Sequence, residues 1–381
     1  MSIPSVIQTQ AGLWGQAGLW GQAGLWGQAG LWGQAGLWGQ VGATGPSNPS
    51  ALADPALSLS VAAMRDELLL ASAQGRMPAP RTPGGLFGQG VGPRAQSLLV
   101  ELLGGLRVLA HEQGQGIRLQ FRDAAEGARW QTLLSLQAPE PGYLQAQLRL
   151  VDADLPLRDS RAVEIHAQCQ GALAYLLTVS GQALQERPRS AEFLSAALAL
   201  QQALQMRCKQ MLAVPRPSHL APRLLPCIDV PAHHSFPSGH GGESYLVAAL
   251  LSRWLARIGD SGGVGAMLHQ AAHRIARNRV VAGVHFPVDS IAGRLLGAVV
   301  EHHLLALAGA GDSPRAQLPG PGGWGEPEAG VPSDVRSGRG YGAQPWREPL
   351  CGWQLVADPL EPAPDLQALW RAACAEWPEA T

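Results

Sequence analysis

Apolar residues recur at helical spacing through the middle of the chain and lose that rhythm toward both ends. Residues 159–182 and 190–214 carry apolar side chains at i, i+3 and i+4, which predicts two amphipathic helices. The second opens on Ser190, a residue type that caps helices, and stops at Pro215 and Pro217, which cannot continue one. Three further helices are predicted over residues 241–258, 264–283 and 287–308, the last with Pro287 in the first turn, where its missing amide hydrogen costs nothing. Short connections between these segments predict a compact helical bundle, so the expected fold class is mainly α.

Upstream the pattern is mixed. Residues 94–111 predict one more amphipathic helix, with Leu98, Leu99, Leu102, Leu103 and Leu106 on its apolar side. Ile117, Leu119 and Phe121 alternate with polar neighbours, and Leu144, Leu148 and Leu150 do so more loosely, so residues 117–151 read as strand-like. Residues 11–40 are five copies of Ala-Gly-Leu-Trp-Gly-Gln. On an α-helix a period of six turns the tryptophan by about 600°, equivalent to about 240°, per repeat, so no apolar stripe forms. The repeats read as a low-complexity arm. Residues 46–93 are dense in Pro, Gly, Ser and Ala and are broken by one predicted helix at 55–73, where Met64, Leu68 and Leu69 share a face. After Gly311 the Pro and Gly density returns, with Trp324, Trp346 and Trp353 scattered through an expected irregular tail and a last short helix at 365–376. The chain thus divides into an arm (1–55), an accessory helical or α+β region (56–150), a helical catalytic domain (151–310) and a tail (311–381).

Composition narrows the function. The formal net charge is −1 with a pI near 6.8, so the bulk basic field that nucleic acid would require is missing. The longest apolar helices carry Arg253, Arg257, Arg294, Glu301, His302 and His303, which argues against an integral membrane protein. The five cysteines show no zinc spacing, and no basic n-region or cleavage signal marks the N-terminus, so a cytoplasmic location is expected.

Candidate chemistry gathers between Lys209 and Asp289. Lys209 is the lone lysine in a chain that otherwise uses arginine, which suggests a position needing a compact ammonium. Arg216 follows between two prolines, and Arg279 adds a third cation. Pro237-Ser238-Gly239-His240 directly precedes a predicted helix, where backbone amides freed by Gly239 and the Ser238 hydroxyl can cradle phosphate oxygens. His240 lies at the rim of that cradle, able to pass a proton near neutral pH. His285 sits between Gly283 and Pro287, and Asp289, in the first turn of the next helix, can accept from one ring nitrogen and leave the other as a nucleophile. His233, His234, His269, His273, His302 and His303 read as structural.

Lys209, Arg216-Pro217, Pro237-Ser238-Gly239-His240 and Arg279, His285, Asp289 together resemble the three motifs of the superfamily joining type 2 phosphatidic acid phosphatases, bacterial acid phosphatases and vanadium haloperoxidases. The resemblance covers roughly residues 158–308, with one departure: Asn278 stands where the family usually has Ser. It implies a helical bundle in which His285 attacks phosphorus to form a phosphohistidine, oriented by Asp289. His240 protonates the leaving group and later activates water. Lys209, Arg216, Ser238, the Gly239 amide and Arg279 bind the oxygens. A phosphatase of this kind needs no cofactor. In the haloperoxidase branch the same pocket holds vanadate, with His285 as its protein ligand, and the substrates are peroxide and halide. The short span between His240 and Asn278, and the Gly241-Gly242 pair that offers no group for halide, favour a soluble phosphomonoesterase acting on a small phosphoester. A vanadate-dependent haloperoxidase is the alternative, and a non-catalytic interaction protein presenting the Trp-rich arm is a second.

Overall fold

The computed structural model describes residues 91–378 apart from 112–114, 124–128, 261–262, 320–322, 325–350, 358–359 and 361–362. The repeat arm, the predicted helix at 55–73 and Trp346 lie outside the described residues. In chain order come α1 (Val91–Gly104), β1 (Leu106–Ala110), β2 (Gly116–Arg122), β3 (Trp130–Gln137), α2 (Pro141–Asp154), α3 (Arg158–Ser180) and α4 (Pro188–Leu212). A single helical turn, Pro217–Leu220, leads to α5 (Gly239–Arg257), α6 (Gly263–Val281) and α7 (Pro287–Leu307), followed by β4 (Ser313–Leu318), β5 (Gly352–Val356) and α8 (Pro364–Ala375).

The expectation of a mainly α fold is corrected by a five-stranded mixed sheet in the order β1-β2-β3-β4-β5. β1, β2 and β3 form an antiparallel meander, β4 joins β3 in parallel, and β5 closes antiparallel on β4. Strands from the supposedly irregular tail therefore complete a sheet begun some 180 residues earlier, with Leu134 opposite Ala316 and Leu136 opposite Leu318. Local periodicity cannot register a pairing whose partner is remote, and β4 carries Pro314 and Arg315 within its short run. The predicted helix at 94–111 ends at Gly104, where Gly104 and Gly105 break it, and Leu106–Ala110 pairs with Ile117–Phe121. Leu144 and Leu148 lie on α2, one turn apart on its buried face, so the loose alternation there was one side of a helix.

The sheet packs on α4 and α7, with Leu119, Phe121, Leu134 and Leu136 buried. α5 is the central helix, packed between α7, α6 and α4. Its contact with α7 is backbone to backbone: a methyl on Gly293 would stand 2.2 Å from the Ser238 carbonyl oxygen, and one on Gly297 2.4 Å from that of Gly242. α8 docks through Trp370 and Trp377, which stack on Trp254 of α5 with centroids 5.8 and 5.9 Å away. Pro188, not Ser190, begins α4. Ser190 is buried inside it, and the first-turn amides of Arg189 and Ser190 donate to the Glu376 carboxylate beyond α8, at 2.7 and 2.8 Å.

Candidate active site

Two helix N-termini and the segment before the first of them build the site. α5 starts where Ser238, extended at φ −69° and ψ 128°, accepts from the Gly241 amide at 3.3 Å through its hydroxyl. The Ser238 amide donates to the Asp289 carbonyl at 2.8 Å, which ties this N-terminus to that of α7. At α7, Pro287 occupies the first turn and the Asp289 carboxylate accepts from the Phe286 amide at 2.9 Å. His285 sits just ahead in the loop that leaves α6. Gly283 turns that loop at φ 82°, and Arg158 holds it by donating to the carbonyls of Val281 and Ala282 at 2.8 and 3.3 Å.

The three cations lie deep in the protein, and each places at least one donor on a backbone carbonyl. Lys209 Nζ, on the last turns of α4, donates to His234 O at 2.9 Å and Ser235 O at 2.7 Å. Arg216 donates to His233 O at 3.1 Å and Val284 O at 2.7 Å, and its NH1 lies 3.0 Å from His285 Nε2. Arg279, near the end of α6, reaches back to α3, with NH2 donating to Ile165 O at 2.9 Å and Gln168 Oε1 at 3.2 Å, while its Nε has no hydrogen-bond partner among the described residues. An ammonium has three N–H groups and a guanidinium five, so each of the three keeps donors for an anion.

The chemistry of the two histidines follows from this setting. His285 Nδ1 lies 2.9 Å from Asp289 Oδ2 and both side chains are buried. Burial, followed by the charges of Arg216 and Lys209, holds the His285 ring well below the usual imidazole range. His240 is held down likewise by burial and then by Arg279, so both rings stay neutral at physiological pH. Burial lifts the Asp289 carboxyl to about 6 against the hydrogen bonds from Ser235 and Phe286. It also pushes the Lys209 ammonium well down, reinforced by Arg216, and lowers Arg216 to about 10. Positive groups outnumber their immediate carboxylate, the electrostatic condition under which a bound anion is stabilising.

All eight residues singled out in the sequence thus converge: Lys209, Arg216, Ser238, Gly239, His240, Arg279, His285 and Asp289. Several contributors were not legible there. Ser235 donates to Asp289 Oδ2 and lies 3.3 Å from His285 Nδ1. His233, read as structural, places Nδ1 3.0 Å from Arg216 NH2, and burial with the Lys209 charge lowers it to about 4. Gln168 and Cys169 come from α3, with Cys169 Sγ 2.8 Å from Arg279 NH1. Asn278 is fully buried, donating to Gln168 Oε1 at 3.0 Å and accepting from Arg161 at 3.1 Å, so it braces the helix that carries Arg279. Spacing gives no signal for Gln168 or Cys169, since their link to Arg279 exists only once α3 packs on α6. Among the described residues no helix is long and apolar enough to cross a membrane.

No curated protein matches the chain. A solved structure described as the first transmembrane PAP2 type phosphatidylglycerolphosphate phosphatase from Bacillus subtilis is similar at 18% identity and a TM-score of 0.35, over 42% of this chain and 84% of that one. The sequence model of the PAP2 superfamily matches residues 192–310, which hold every one of the eight convergent residues. Residues 192–310 are thus similar to the PAP2 superfamily, whose members are phosphatase-type hydrolases.

Proposed function

We propose that the protein is a phosphoric monoester hydrolase working through a phosphohistidine. The observation that carries this reading is the His285–Asp289 pair, with Nδ1 committed to the carboxylate at 2.9 Å and Nε2 beside the Arg216 guanidinium. In this reading Nε2 attacks phosphorus as the ester oxygen departs, and Asp289 holds the Nδ1 proton as positive charge grows on the ring. His240, neutral in the free enzyme, takes up a proton when the anionic phosphoester binds and gives it to the leaving oxygen; the neutral ring then takes one from the water that cleaves the N–P bond, releasing phosphate and restoring His285. The remaining donors of Lys209, Arg216 and Arg279, with the Ser238 hydroxyl and the Gly239 amide, bind the equatorial oxygens; such donors are worth roughly 3–4 kcal/mol each in a transition state.

Vanadate-dependent halide oxidation is the second reading, favoured by the same donor set, which suits an oxyanion of vanadium as well as one of phosphorus. Vanadate would supply peroxide activation there, with His285 as its protein ligand and Lys209, Arg216 and Arg279 on its oxygens. The test is phosphate release from p-nitrophenyl phosphate, run beside peroxide-dependent bromide oxidation after loading with orthovanadate in phosphate-free buffer. Hydrolysis lost in a folded His285→Ala variant, without bromination, is the expected result. Robust bromination lost in that variant selects the second reading, and full activity of His285→Ala overturns both.

A further inference from the structure

Ser235 is fully buried two residues before the Pro237-Ser238-Gly239-His240 turn, and its backbone is fixed from both sides. Its amide donates to Val214 O at 2.9 Å, and its carbonyl accepts from Lys209 Nζ at 2.7 Å. The hydroxyl reaches the catalytic pair, donating to Asp289 Oδ2 while standing 3.3 Å from His285 Nδ1. A hydroxyl has one proton and two lone pairs. With the proton on the carboxylate, Ser235 Oγ can only accept from Nδ1, so that nitrogen must carry the hydrogen. The other ring nitrogen faces Arg216 NH1 at 3.0 Å, a group that only donates, so Nε2 must offer its lone pair.

We infer that Ser235 is a positioning residue that holds the Asp289 carboxylate on Nδ1 and so, with Arg216 on Nε2, keeps His285 in the tautomer with its proton on Nδ1 and its lone pair on Nε2. The Ser235 hydroxyl, the Phe286 amide and His285 Nδ1 all converge on Oδ2 of Asp289, while Oδ1 has no hydrogen-bond partner among the described residues. Without the hydroxyl, the carboxylate loses a charge-assisted bond and is freer to rotate Oδ2 away from the ring. The consequence for turnover rests on the reading of His285 as nucleophile; the tautomer itself does not.

The test uses the full chain labelled with ¹⁵N-histidine, with His285→Ala to assign the resonance. Wild type is expected to show His285 protonated on Nδ1 near neutral pH. Ser235→Ala is expected to show mixed tautomers, and Ser235→Thr, which keeps the hydroxyl, to restore the wild-type signature. In p-nitrophenyl phosphate hydrolysis, Ser235→Ala should lower kcat by about tenfold to hundredfold with KM within about twofold, and Ser235→Thr should recover most of it. A wild-type His285 protonated on Nε2 overturns the inference even if Ser235→Ala does not fold. So does a Ser235→Ala protein that keeps the wild-type tautomer and kcat. If wild type hydrolyses nothing but the tautomer is lost in Ser235→Ala, the functional reading falls and the role of Ser235 stands.

Discussion

Gly293→Ala isolates the α5–α7 contact on which the oxyanion cradle depends. Gly293 has helical backbone geometry, so alanine is tolerated conformationally and the perturbation is steric. The new methyl would lie 2.2 Å from the Ser238 carbonyl oxygen and 3.1 Å from the Gly242 amide nitrogen. Ordinary contact needs roughly 3.5 Å, so the two helices must part by about 1 Å. Both obstructing atoms are backbone, and no side-chain rotation relieves them. Overpacking of this kind costs about 1–3 kcal/mol, while the better helix propensity of alanine returns up to about 1 kcal/mol, leaving a modest net destabilisation. Activity should suffer more, because Ser238 and the Gly239 amide move with α5 while His285 and Asp289 stay with α7, and a 1 Å misplacement can cost roughly a hundredfold in rate. The assay pairs urea denaturation, followed by the fluorescence of buried Trp254 and Trp377, with p-nitrophenyl phosphate hydrolysis. Gly142→Ala is the control, since nothing lies within 4 Å of a methyl there. If Gly293→Ala matched that control in both stability and kcat/KM, the tight glycine contact would not be what sets the cradle.

Further outcomes follow from the same geometry. Asp289→Asn should lower kcat and remove an acid limb near pH 6 from the rate profile, because the carboxyl is lifted to about 6 and is needed ionised. Glu376→Ala should cost about 1–2 kcal/mol in urea denaturation, since it uncaps the first-turn amides of α4 and the Ser190 hydroxyl. Arg94→Met should cost about 3 kcal/mol or more, because it strips one partner from the buried Glu192 carboxylate, and Arg94→Met/Glu192→Leu should be milder than the single change. His269, held near 4 by burial, binds protons more weakly in the fold than in the unfolded chain, so stability falls as pH drops below about 6.5. By pH 5 that loss amounts to about 2 kcal/mol for this ring, measurable as a flatter stability profile in His269→Phe. Asp289 works in the opposite sense, gaining stability as pH falls through about 6, and is outnumbered by depressed histidines.

The bundle helices and the eight convergent residues were legible because their signals are local. Apolar residues three and four apart mark a buried helix face wherever that face packs, and Ser238, Pro287 and Asp289 act within the turns they begin. The sheet was legible only in part: the alternation of Ile117, Leu119 and Phe121 marked β2, but β4 and β5 are stabilised by partners far along the chain and not by their own composition. Ser190 illustrates the same limit within a helix: its residue type suggested a cap, but Pro188 starts α4, and the capping carboxylate comes from Glu376 at the other end of the domain. By itself the sequence determined which side chains are candidates for the site. Only the tertiary structure decided their state: the close glycine contact between α5 and α7, the α3 groups on Arg279 and the Ser235 hydroxyl on Asp289 depend on distances that form when remote segments pack. Burial produced by that packing is also what holds the histidines neutral and lifts Asp289.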